Sequence, residues 1–256
     1  MVWVIGHRGA RQLAVENSMA ALQVALSEGA DGVECDVQLS ADGEPVLFHD
    51  DDLRRLTGDR RRLAQVSWRE LRGLRQRVSG LQPQPLAHLD ELLEWAALRP
   101  LRLNVELKVA AKVPARPLVE TLLRRIGECA PDGWVFSSFD RGALDLLGQG
   151  APLWRRGALV AGERDLRAIG DLGEIGQVHP GAGLLSAGRL QEWQAQGWPV
   201  WPWTLNGPEA WQRALELAGP PAIEAIITDD PSGLRRFVEQ HGLAQRRSPP
   251  GAAEST

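Results

Sequence analysis

The stretch GVECDVQLSADGEPVLFHD, residues 32–50, decides how this chain is read. Val33, Cys35, Val37 and Leu39 alternate with Glu34, Asp36 and Gln38. An alternation of period two is a strand whose successive side chains leave opposite faces. One face is aliphatic and the other carries two carboxylates. The pair His49-Asp50 closes the stretch.

Outward from it, apolar runs and helical patterns take turns. VWVIG (2–6) reads as a strand, and NSMAALQVALSEGA (17–30) as a helix capped by Asn17 or Ser18 and ending near Gly29. LRLNVELKV (101–109), GWVFSSF (133–139), APLWRRGALV (151–160), EIGQVHP (174–180), WPVWPWTLN (198–206) and EAIITDD (224–230) read as further strands, with helical patterns between them. About eight strand–helix repeats predict a (β/α)8 TIM barrel of the α/β class. A doubly wound open sheet is the alternative, but its glycine-rich first turn is missing. Residues 51–85 break the rhythm and read as a small insertion on the rim after the second strand. From Arg54 to Arg77 it holds nine arginines against two acidic residues, either a solvated basic face or a surface that attracts anions. The expected organisation is one catalytic domain over 1–243 and a polar, disordered tail over 244–256.

Composition excludes several classes. The chain has 256 residues, 43% hydrophobic and 24% charged, with a net charge of −4, which argues against nucleic-acid or anionic-membrane partners. Cys35 and Cys129 make no disulfide framework. The N-terminal apolar run lacks a basic flank and a cleavage site, and no apolar stretch is long enough to span a bilayer, so a cytoplasmic location is expected.

In a barrel the aliphatic face of 32–39 packs on helices, so Glu34 and Asp36 face the axis. Residues 101–109 repeat the device, with Asn104, Glu106 and Lys108 facing inward. Apposed carboxylates repel and are costly to desolvate; protonation, a salt-bridge network with Lys108, or a cation would relieve them. Three hard oxygen donors suit one divalent ion, Mg²⁺ or Ca²⁺, with Mn²⁺ also admissible. His7 and His49 end extended segments, on the face where barrel enzymes carry chemistry, and suit a general acid and base. Arg8 beside His7 suits a phosphate.

HRGA (7–10), EN (16–17), GADGVECDVQLSADGEPVLFHDDDLRRLTG (29–58), ELK (106–108), WTLN (203–206) and ITDDP (227–231) together resemble the glycerophosphodiester phosphodiesterase family. The resemblance runs from His7 to about Phe237. It implies metal-dependent cleavage of a small glycerophosphodiester into glycerol 3-phosphate and an alcohol. It implies His7 and His49 as the catalytic pair and Glu34, Asp36 and Glu106 as metal ligands. Arg8 and Lys108 would hold phosphate, Glu16 would be an acid near the metal or glycerol, and Trp203 would wall the pocket. Val15 and Ser18 depart from the family's usual Pro and Thr. A lysophospholipase D-like lipid hydrolase, a non-catalytic metal- or phosphate-binding barrel and a metal-dependent sugar-phosphate isomerase are the rivals.

Overall fold

The computed structural model describes residues 1–109, 114–127, 130–169, 175–218 and 222–243. Cys129 and the tail from 244 onward lie outside the described residues.

The chain alternates strand and helix around a closed barrel. β1 (Trp3–Gly6), α1 (Met19–Ser27) and β2 (Gly32–Leu39) come first. An excursion follows, containing β3 (Pro45–Leu47), α2 (Arg54–Thr57), α3 (Trp68–Leu71), β4 (Arg75–Gln76), β5 (Gln84–Pro85) and β6 (Ala87–His88). The alternation resumes with α4 (Leu89–Ala97), β7 (Arg102–Leu107), α5 (Arg116–Ile126), β8 (Trp134–Ser138), α6 (Arg141–Gly150) and β9 (Arg155–Val160). It ends with α7 (Glu163–Ile169), β10 (Val178–Pro180), α8 (Ala187–Ala195), α9 (Pro208–Ala218), β11 (Ala225–Thr228) and α10 (Pro231–Gln240). The sheet runs β10-β9-β8-β7-β2-β1-β11, every neighbour parallel.

The segment WPVWPWTLN, read as a strand, pairs only through isolated bridges at Val200 and Trp203. Pro199 and Pro202 lack the N–H that a regular ladder needs. Their carbonyls still accept from Val178 (3.1 Å) and Ile227 (3.0 Å), and Trp201 and Trp203 donate to Val178 and Pro180 at 3.0 and 2.9 Å. This irregular eighth stave joins β10 to β11 and closes the barrel.

The aliphatic set of β2 lies where its alternation requires. Val33, Cys35 and Val37 are fully buried with Leu22, Ala25, Leu103 and Val105 in the shell between strands and helices. A smaller cluster, Ile5, Val135, Trp201, Ala225 and Ile227, plugs the interior. The segment read as a rim insertion over 51–85 sits within a larger excursion. β3 folds back antiparallel on β2, β6 adds to β3, and Val46, Phe48, Leu53, Leu56, Leu63, Val66, Leu71 and Leu86 form a separate core. Among the described residues no helix is long and apolar enough to cross a membrane.

Candidate active site

β1 ends by feeding His7-Arg8-Gly9 into a tight turn. Gly9 has φ +84°, and a Cβ there would overlap the Ala21 backbone. Arg8 has φ +54°, uncommon for a residue with a side chain. This geometry turns the Arg8 N–H onto Glu34 Oε2 (2.8 Å). Its guanidinium donates from Nη1 to Glu16 Oε1 at 2.8 Å, and its Nε lies 3.1 Å from Asp36 Oδ2. Asn17, also at φ +54°, donates from Nδ2 to Asp36 Oδ2 (2.8 Å) and accepts the Asp36 N–H at 3.1 Å. Ser18, not Asn17, caps α1, accepting the Ala21 N–H at 3.1 Å.

The register of β2 on β7 sets Glu34 beside Asn104 and Asp36 beside Glu106. Glu34, Asp36 and Glu106 are buried, and each offers an oxygen within 4.8 Å of the others. Lys108 Nζ lies 2.6 Å from Glu106 Oε1 and 3.2 Å from Asp36 Oδ1. Glu34 Oε1 is buried with no hydrogen-bond partner. Burial, with Asp36 and Glu106 beside it, pushes the Glu34 carboxyl well above the usual carboxylate range. Burial and the Asp36 charge push Glu106 up to about 7. Burial would also raise Asp36, but Lys108 and Arg8 hold it below its ordinary value. Three convergent carboxylates, each with a buried oxygen that accepts no hydrogen bond (Glu34 Oε1, Asp36 Oδ1 and Glu106 Oε1), fit a hard divalent cation.

Each histidine is backed by an aspartate. His7 Nδ1 lies 2.7 Å from Asp229 Oδ1, and Asp229 accepts from Asn206 Nδ2 at 2.9 Å. His49 Nδ1 lies 2.8 Å from Asp50 Oδ1. Burial lowers both imidazoles, against the pull of Asp229 on His7 and of Asp36 on His49. His49 is the more open, its side chain 32% exposed against 11% for His7.

A cavity of about 180 Å³ brings together His7, Arg8, Glu34, His49, Glu106, Lys108 and Trp203 of the expected residues. Asp36 lies beside it through Lys108 and Arg8. Trp203 donates from Nε1 to His179 O (2.7 Å) and meets Phe139 edge-on at 5.7 Å. Glu16 does not line this cavity; it is buried under Arg8, Arg11 and Arg55, and against burial Arg55 and Arg8 hold its carboxyl down at about 2. The sequence reading gave no role to Asp229, Asn104, Phe139 or Arg55, and none to Asn17 beyond a possible cap. Asn104 is on the inward face of its strand and Asp229 within ITDDP (227–231), so both carry a signal in the sequence. Arg55 was one arginine in a basic run, with nothing to single it out.

Residues 7–232 match the glycerophosphoryl diester phosphodiesterase family. A glycerophosphodiester phosphodiesterase of Caldanaerobacter subterraneus subsp. tengcongensis is 28% identical over 93% of this chain and 98% of its own. The crystal structure of a glycerophosphodiester phosphodiesterase from Thermotoga maritima has a TM-score of 0.70 at 28% identity, covering 94% of this chain and 98% of that one. An Oleispira antarctica phosphodiesterase, solved in complex with the product sn-glycerol-3-phosphate, shares the fold with a TM-score of 0.80 at 24% identity, covering 93% and 96%. With its barrel and its carboxylate cluster, the chain belongs to the glycerophosphoryl diester phosphodiesterase family.

Proposed function

We propose that this phosphodiesterase hydrolyses glycerophosphodiesters to glycerol 3-phosphate and an alcohol, with His7 and His49 as its acid–base pair and one divalent cation held by Glu34, Asp36 and Glu106. The observation that carries this reading is the two aspartate-backed histidines lining one cavity with an unpartnered Glu34 oxygen. The product bound to the Oleispira antarctica protein supports the substrate class. We propose Mg²⁺, Ca²⁺ or Mn²⁺ as the ion, and a cytoplasmic enzyme acting on small soluble diesters.

An aspartate on Nδ1 favours the tautomer that leaves Nε2 free for proton transfer. His7, the more buried, takes the proton of the nucleophile as the base. His49, nearer solvent, gives a proton to the leaving alcohol. Arg8 and Lys108 bind the phosphate oxygens, and Trp203 with Phe139 walls the alcohol side. A divalent cation held by Glu34, Asp36 and Glu106 would stabilise the negative charge that develops on the phosphate.

His7→Ala and His49→Ala should each lower kcat by about 10²–10⁴, the usual worth of a positioned acid or base. A p-nitrophenyl leaving group hardly needs protonation, so His49→Ala should recover much of its rate on that substrate and His7→Ala should not. Near-wild-type turnover of a natural diester by either variant would overturn the paired mechanism.

A further inference from the structure

We infer that Arg55, carried by the excursion, is a positioning residue that fixes His49 against the rest of the site by gripping Asp50 and Glu16 at once. This rests on the paired-histidine reading above. The histidines come from unconnected parts of the fold. His7 follows β1 and is held by Asp229 after β11. His49 lies in the excursion, between β3 and α2. A two-proton mechanism needs a constant distance between them, and the excursion has its own core, separate from the barrel's.

Arg55 spans that division. Its Nε donates to Asp50 Oδ2 (2.6 Å) and its Nη2 to Asp50 Oδ1 (3.0 Å), the carboxylate that also holds His49 Nδ1. Its Nη1 and Nη2 donate to Glu16 Oε2 and Oε1 at 2.9 and 2.7 Å. Glu16 in turn receives Arg8 at 2.8 Å, and the Arg8 backbone N–H rests on Glu34. One planar guanidinium thus connects His49 to the turn that carries His7, Arg8 and the support of the carboxylate cluster. Arg55 is 44% exposed, so as a simple surface charge it would be worth little. Its partner Glu16 is 4% exposed, however, and two forked contacts set an angle that a point charge does not. Glu16, expected to face the metal or glycerol, becomes the barrel-side anchor of this bridge.

The test is a mutant cycle with His49. Arg55→Ala should lower kcat about 10–100-fold, the usual worth of an outer partner that orients a working side chain, with KM little changed. Arg55→Lys keeps the charge but not the fork, and should recover only part of the loss. In a His49→Ala background neither change should matter, because the group being positioned is gone. A merely structural role would cost the same factor in both backgrounds. Wild-type kcat in Arg55→Ala, full recovery in Arg55→Lys, or equal losses in both backgrounds would each overturn the inference. Should Arg55→Ala fail to fold, Arg55→Lys completes the same cycle. Wild-type activity of His49→Ala alone would instead overturn the paired mechanism, a result visible without any Arg55 variant.

Discussion

Glu34 and Asp36 leave the same strand face two residues apart, yet their surroundings oppose one another. Asp36 accepts from Asn17 and forms ion pairs with Arg8 and Lys108. Glu34 receives one backbone N–H, and its buried Oε1 has neither the hydrogen bond nor the ion pair that would balance it. In the chelated protein, Glu34→Gln should therefore leave stability unchanged or raise it by about 1–2 kcal/mol, since a neutral amide still accepts from Arg8 and no longer repels its neighbours. Asp36→Asn should lower it by about 1–3 kcal/mol, because it removes one of two anionic partners from each of the half-buried cations Arg8 and Lys108, which keep Glu16 and Glu106. Both should weaken metal binding. Chelated denaturant melts check the contrast, and equal changes in the two variants would refute it. The acids themselves were legible in the sequence, because inward side chains recur with period two. Their partners were not. His7 and Asp229 lie 222 positions apart, and Asn17 and Asp36 lie 19 apart. No local pattern relates such pairs; the barrel's register does.

At the scale of elements, repetition was legible and irregularity was not. Nearly every strand reading falls on an observed strand because apolar runs between helices have few other uses in a barrel. The exception is WPVWPWTLN, whose two prolines break the ladder while the backbone still follows the strand path. The excursion shows the converse limit. Its basic stretch was visible, but its true limits depend on β3 turning back on β2, a tertiary pairing. Phe48 links its core to the site: the side chain is fully buried in the excursion, its carbonyl accepts from Gln38 Nε2 at 2.9 Å, and His49 follows directly. Phe48→Ala should cost about 3–5 kcal/mol of stability. It should also lower kcat, measured well below the melting transition, more than Leu147→Ala on α6, which opens a cavity in the main core at a residue that does not line the site. Equal kcat in the two variants under those conditions would mean that the excursion's core does not hold His49.

On the scale of the whole molecule, closure brings strands from both ends of the chain to one site and traps like charges inside it. β1 lies between β2 and β11, so residues near positions 7 and 229 meet. The trapped charge gives the molecule a dependence on pH that a cation should remove. Glu106 is raised from an ordinary 4.5 to about 7 in the fold. Below pH 4.5 it is protonated both folded and unfolded and costs nothing. Between 4.5 and about 7 the unfolded chain releases the proton while the folded one keeps it, so folding stability falls, by about 3 kcal/mol at most across the window. Glu34 acts in the same sense. Glu16 acts in the opposite sense but lower: held at about 2, it adds stability between about 2 and 4.5 and changes nothing above. A divalent ion that binds only the folded, ionised cluster should add about 2.7 kcal/mol at a hundred times its Kd, and it must displace protons to bind at low pH. The gap in melting temperature between metal-loaded and chelated protein should therefore widen from pH 5 to pH 7. Glu106→Gln should flatten the chelated curve over that range. Chelation should abolish activity, and Mg²⁺, Mn²⁺ or Ca²⁺ should restore it where monovalent ions do not. Parallel stability curves with and without the ion, together with full activity after exhaustive chelation, would mean that the three carboxylates are balanced by Lys108 and Arg8 alone.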